Sequence, residues 1–153
     1  MKKLLLLSAL IISFSSFGQL ADFDFNFNDI KDISSLKLFK KFCFEEGFTK
    51  VEEGDDEVVY AHNYNADRKV ATVWATYIKY NNTLAFELKR YDNSYKPFEL
   101  VLDQVKRNCE FYDTFEDNYG NEFVCYSCPN ATYKGKIGFF RGKNADYIRI
   151  FDF

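Results

Sequence analysis

The tightest set of chemistry-bearing side chains is Cys125-Tyr126-Ser127-Cys128. Two thiols at this spacing can form a redox dithiol or half of a zinc knuckle. A zinc site needs a second close pair, and Cys43 and Cys109 stand far apart in the chain. A redox pair normally opens a helix after a strand. This one closes a strand and runs into Pro129-Asn130, which is turn chemistry. Cys43, Cys109, Cys125 and Cys128 are therefore expected as disulfide candidates, with three pairings open, and no metal site is expected.

Other catalytic chemistry is hard to assemble from these residues. His62 is the sole histidine, and it follows Tyr60-Ala61 on an expected strand with no nucleophile motif beside it. The seven glycines do not cluster into a phosphate loop, so no nucleotide cofactor is implied. The acidic stretches 52–57 and 116–122 lack the alternating acids and distant closing Glu of a calcium loop, and read as solvated hairpin turns. The acids are too scattered to single out a glycosidase pair. No catalytic residue and no cofactor are assigned.

Residues 1–18 have the form of an export signal. Lys2 and Lys3 open it, an apolar run covers residues 4–12, and Ser16 and Gly18 occupy the positions that a signal peptidase reads. The run is too short to span a membrane, and no cysteine follows the cut to accept a lipid. The chain is expected to be secreted or periplasmic, with a cleavable signal of bacterial type and no transmembrane span. The net charge of −3 becomes about −5 once the leader leaves, which argues against nucleic acid and against anionic membrane as partners. Phe, Tyr and Trp make up 20% of the chain, which favours a sheet-rich fold with an ample core.

The remaining residues show one order twice. Phe23-Asp24-Phe25-Asn26-Phe27 alternates like a short strand. Ser34 or Ser35 then caps a helix with Leu36, Phe39, Phe42 and Cys43 on one stripe, ending before Gly47. Hairpins follow at 48–63, turning at Gly54-Asp55-Asp56, and at 70–91, turning at Asn81-Asn82. Pro97 opens a second helix with Phe98, Val101, Leu102, Val105 and Cys109 on its stripe. Hairpins at 111–127 and 133–153 complete the pattern. Glu57-Val58-Val59-Tyr60 aligns with Glu122-Phe123-Val124-Cys125, and Phe86-Glu87-Leu88 with Ile148-Arg149-Ile150. The expected fold is α+β, a tandem duplication of a helix followed by four antiparallel strands, with units at 19–92 and 93–153.

Hairpin geometry then sorts the faces. A two-residue turn at Asn81-Asn82 sets Tyr77 opposite Phe86, Ala75 opposite Leu88, and Trp74 opposite Lys89. Val73, Ala75, Tyr77, Leu84, Phe86 and Leu88 then face the helix, as do Ile137, Phe139, Ile148 and Ile150. Trp74, Ile78, Tyr80, Lys89 and Tyr91 face away, with Phe140, Tyr147, Arg149, Phe151 and Phe153. Such a face can grip an unknown protein, peptide or glycan. Alternatively the two outward faces meet each other, or Phe23, Phe25 and Phe27 cover one of them. The outline resembles that of secreted β-lactamase inhibitory proteins, whose tandem helix-and-sheet repeats bind through a sheet face; the likeness is one of architecture and carries no residue across. An exported, non-catalytic binding or inhibitor-like module is the leading expectation. A small periplasmic hydrolase and a structural envelope component are the alternatives.

Overall fold

The computed structural model describes residues 25–90, 97–129 and 135–151. Residues 1–18, Phe23, Tyr91 and Phe153 lie outside them. Three helices, α1 (Phe27–Ile30), α2 (Leu36–Glu45) and α3 (Pro97–Asn108), accompany eight strands. The strands are β1 (Thr49–Glu53), β2 (Glu57–His62), β3 (Val73–Ile78), β4 (Thr83–Lys89), β5 (Glu110–Glu116), β6 (Glu122–Ser127), β7 (Lys136–Arg141) and β8 (Ala145–Phe151). All neighbouring strands are antiparallel, and they form one open sheet in the order β1-β2-β3-β4-β8-β7-β6-β5.

Local chemistry sets the helix ends. The Ser35 hydroxyl accepts the Leu38 N–H at the start of α2. At its far end Gly47 takes φ +71°, and the Phe48 N–H returns to the Cys43 carbonyl (2.8 Å), closing a Schellman turn that leads into β1. Pro97 opens α3, where its missing N–H costs nothing. The expected strand at 23–27 does not form at Phe27. Asn26 accepts from the Asn28 N–H while its own N–H reaches Asp29, and this capping box starts α1 instead.

All three helices lie on one side of the sheet. Phe39, Phe42 and Cys43 of α2 and Phe98, Val101, Leu102 and Val105 of α3 share a single core with Val73, Ala75, Tyr77, Leu84, Phe86, Leu88, Ile137, Phe139, Ile148 and Ile150. The helix-facing residues are thus those expected from alternation. The β3–β4 register differs from the expected one by two residues: Tyr77 opposes Leu84, Ala75 opposes Phe86, and Trp74 opposes Glu87 rather than Lys89. The turn spans Lys79 to Asn82, with Asn82 at φ +53°, instead of two residues. A two-residue slip preserves facing because the side-chain period is two. At β7–β8 the pairing is as expected, with Phe139 opposite Ile148 and Phe140 opposite Tyr147.

The sequence alignment of β2 with β6 fails on facing. Val58 pairs with Tyr77 on the helix side, whereas Phe123 lies in the cluster on the other side, and Val124 pairs with Phe139. Val124 is therefore the positional counterpart of Val58, one residue later than the sequence match suggests.

Of the four cysteines, Cys109 and Cys128 form a disulfide, with Cα atoms 4.4 Å apart. Cys43 and Cys125 are buried free thiols, which corrects the expectation for both. They cannot pair with each other, because Cys43 packs on the helix side and Cys125 on the opposite side of the sheet. The disulfide ties the end of α3 to the end of β6 and encloses the β5–β6 hairpin. Cross-linking a loop of this length limits the unfolded chain by about 3 kcal/mol. Replacing both Cys109 and Cys128 by alanine is expected to lower stability by about that amount, read as a lower urea midpoint; an unchanged midpoint would show that the hairpin does not depend on its staple.

Candidate functional site

The helix-free side of the sheet carries most of the residues expected to face outward. Trp74 stands in a cross-strand row with Ala61 on β2, Glu87 on β4, Tyr147 on β8 and Phe140 on β7. Ile78 lies at the end of β3 on the same side, opposite Glu57 and Thr83, and Lys89 lies on β4 opposite Ala145 and against Glu87. Trp74 is half-buried, its ring edge-on to Tyr64 (centroids 5.6 Å apart). Tyr80 is a correction: β3 ends at Ile78, so Tyr80 sits in the turn beyond the face and is 78% exposed.

Phe140, Tyr147, Arg149 and Phe151 are brought together, with three residues that sequence reasoning missed: Phe115, Phe123 and Cys125. Phe123, Cys125 and Phe151 are buried, with Phe140 and Tyr147 packed against them. Phe140 stacks with Tyr147 (5.7 Å) and Phe123 (5.6 Å), and Phe115 meets Phe151 (5.6 Å). Gly138 makes this possible. It lies in mid-strand opposite Cys125 and Arg149, and a Cβ there would come within 3.0 Å of the Phe151 ring and 3.1 Å of Cys125 Sγ. A glycine inside a strand marks such close approach, a signal in the sequence that could have located this cluster. Burial pushes the Cys125 thiol up to about 11; it pushes Cys43 above the ordinary thiol range. Neither environment favours a nucleophilic thiolate.

Charge is built into the aromatic cluster. The Arg149 guanidinium lies over the Phe123 ring (4.6 Å) and pairs with Asp117 (3.2 Å) in the β5–β6 turn. Burial alone would raise the Asp117 carboxyl. The N–H groups of Asn121 (3.0 Å) and Tyr119 (2.9 Å), the Asn121 amide (3.1 Å) and Arg149 outweigh it and hold the group below the usual carboxylate range. The second acidic stretch thus contains a turn organiser, Asp117.

His62 lies on the helix side, at the end of β2 opposite Val73. Its ring packs on Phe48 (5.4 Å) and its Nδ1 lies 3.4 Å from the Thr72 hydroxyl, which donates to the His62 carbonyl oxygen (3.1 Å). Phe25 also packs on the helix side, against Phe86 (5.1 Å) and Phe42. It does not cover the outward face. Nor do the outward faces of the two four-strand runs meet, because β4 and β8 join them edge to edge in one sheet. Among the described residues no helix is long and apolar enough to cross a membrane. The chain matches no protein-family model, no curated protein and no solved structure.

Two outcomes follow. Gly138→Ala forces the Phe151 ring or Cys125 aside; overpacking of this kind costs about 1–3 kcal/mol, and ring-proton NMR should show Phe151 displaced. An unperturbed Phe151 signal would mean the approach is looser than described. Burial lowers the affinity of His62 for a proton in the folded chain, so the unfolded chain takes up the proton first as pH falls below about 6.5. Stability is then lost on going from pH 7.5 to 5.5, while Glu46, raised by burial and by Asp29, acts in the opposite sense. The denaturant midpoint of His62→Gln should fall less over this interval than that of the native chain; equal falls would refute the assignment.

Proposed function

We propose that this chain is an exported, non-catalytic binding module that takes a protein, peptide or glycan on the helix-free face of its sheet. The observation that carries the reading is the one-sided placement of the helices. The main core lies beneath α1, α2 and α3, and the opposite face holds only a small buried cluster, beside which stand the Trp74–Glu87–Tyr147–Phe140 row and Arg149. Half-exposed rings beside charged groups supply large contact area with polar anchors. Export is supported by the form of residues 1–18 and by the Cys109–Cys128 disulfide, a bond characteristic of oxidising compartments.

Descent from an internal duplication fits the same geometry. Each of α2 and α3 is followed by a four-strand meander, and Phe86 pairs with Ile148, its sequence counterpart, at the middle of the β4–β8 seam.

The chain lacking residues 1–18, immobilised and exposed to envelope extract of its source, should retain a partner that the Trp74→Ala/Tyr147→Ala variant loses. The variant's thermal midpoint should fall by only a few degrees, the shift expected for about 1 kcal/mol in a domain of this size. Retention by both, or collapse of the variant, would show that these rings serve the fold rather than a ligand.

A further inference from the structure

Among the described residues the sheet has two open edges, β1 and β5, and they differ. β1 presents Lys50, Glu52 and Glu53, with Glu53 paired to Lys50 (3.2 Å) and to Lys40. That edge is polar and locally neutralised, as protected edges are; both edge strands carry a bulge, so the difference between them lies in side chains and charge. β5, Glu-Phe-Tyr-Asp-Thr-Phe-Glu, is exposed at all seven positions. Phe111 is 62% exposed and Tyr112 52%. Its acids Glu110, Asp113 and Glu116 form no ion pair among the described residues, and no Lys or Arg lies in the strand; Lys136 of β7 already seats its ammonium over the Tyr112 ring (3.0 Å), so this strand accepts a cation on an aromatic face. The Thr114 N–H is met by the Asp113 carboxylate (2.8 Å), a local substitute for the bond that a further strand would supply.

We propose that β5 is a docking edge for an extended, basic segment of another protein, which adds to the sheet as a ninth strand. Main-chain hydrogen bonds would give affinity, and alternate side chains would give selectivity. Apolar side chains of the incoming strand would lie beside Phe111 on the helix side of the sheet. Its lysines or arginines would lie on the other side, against Glu110, Asp113 and the rings of Tyr112 and Phe115. Charge also selects against a second copy of this chain: antiparallel self-pairing over the full strand sets Glu110 against Glu116 and Asp113 against Asp113, and like charges directly opposed are destabilising. This edge shares Phe115 with the aromatic cluster of the helix-free face; strand addition uses its main-chain groups and does not depend on a ligand on that face.

The test uses a capped, fluorescent heptapeptide of alternating lysine and valine, a copy with glutamate in place of lysine, and a copy N-methylated at alternate peptide groups. The lysine peptide should bind saturably, the other two at least tenfold more weakly, with amide shifts in the protein concentrated on β5 and β6. Thr114→Pro, which removes an edge donor, and Asp113→Lys, which reverses a surface charge while leaving the Thr114 N–H free to pair with an added strand, should each weaken binding at least tenfold. Glu52→Gln on the opposite edge should leave it unchanged. Equal binding of the methylated peptide, shifts away from β5, or equal loss in Glu52→Gln would reduce the effect to general charge attraction and overturn the proposal. So would a dimer in sedimentation that Thr114→Pro or Asp113→Lys dissolves, since the edge would then belong to a second copy.

Discussion

The pairing of β4 with β8 is the contact on which the rest of the structure depends. Two four-strand meanders meet along it, with Leu84 opposite Ile150 and Phe86 opposite Ile148 on the helix side. A short antiparallel sheet gains independent stability only when one face is buried and its edges are few. Joining β4 to β8 removes two edges at once and makes one continuous floor for α2 and α3. The N-terminal segment then settles over the seam. Phe25 lies against Phe86 and Phe42, and the Phe27 N–H donates to Gln104 on α3 (2.7 Å), so α1 ties together the helices of both runs.

With every helix on one side, the other face is left to satisfy itself. Over β5 to β8 it does so with rings folded down across Gly138. Over β2 to β4 it carries smaller side chains, Ala61, Thr76, Thr83 and Ala85, with Trp74 and Ile78 rising among them. The face is therefore uneven in relief, with an aromatic ridge on the β7–β8 side and lower ground toward β2. Glu87, Lys89 and Arg149 punctuate it with charge of both signs.

Much of this was legible because side-chain period is robust to small errors. The β3–β4 turn was read two residues short, yet Val73, Ala75 and Tyr77 still faced the helix, since an even slip conserves facing. An odd slip does not: the alignment of Glu57-Val58 with Glu122-Phe123 matches Val58, on the helix side, with Phe123, on the other. Phe25-Asn26-Phe27 read as alternation because a capping box and a strand share the same polar–apolar spacing over so few residues; the Asn26–Asp29 pair was the discriminating signal. The disulfide partners were not legible. Cys43 and Cys109 occupy similar places on their stripes, and only the sheet between Cys43 and Cys125 shows which thiols are kept apart. The aromatic exposure of β5 was hidden by its bulge between Phe111 and Asp113, which breaks the alternation that would have sorted its faces.

That strand also shows how a sheet edge can be held when burial contributes little. No residue of β5 is buried, so hydrophobic transfer cannot be its main anchor. Instead the hairpin is pinned at three levels. The Cys109–Cys128 bond closes its base, Phe115 leans on Phe151 at mid-height, and Asp117 at its tip is gripped by Arg149 from β8. Each pin acts at a point and leaves the length of β5 open to solvent. Because Arg149 also stacks on Phe123, the pin at the tip is continuous with the aromatic ridge. Two of the three pins, Phe115 on Phe151 and Asp117 on Arg149, thus belong to the helix-free face, while the disulfide at the base belongs to the helix-side core.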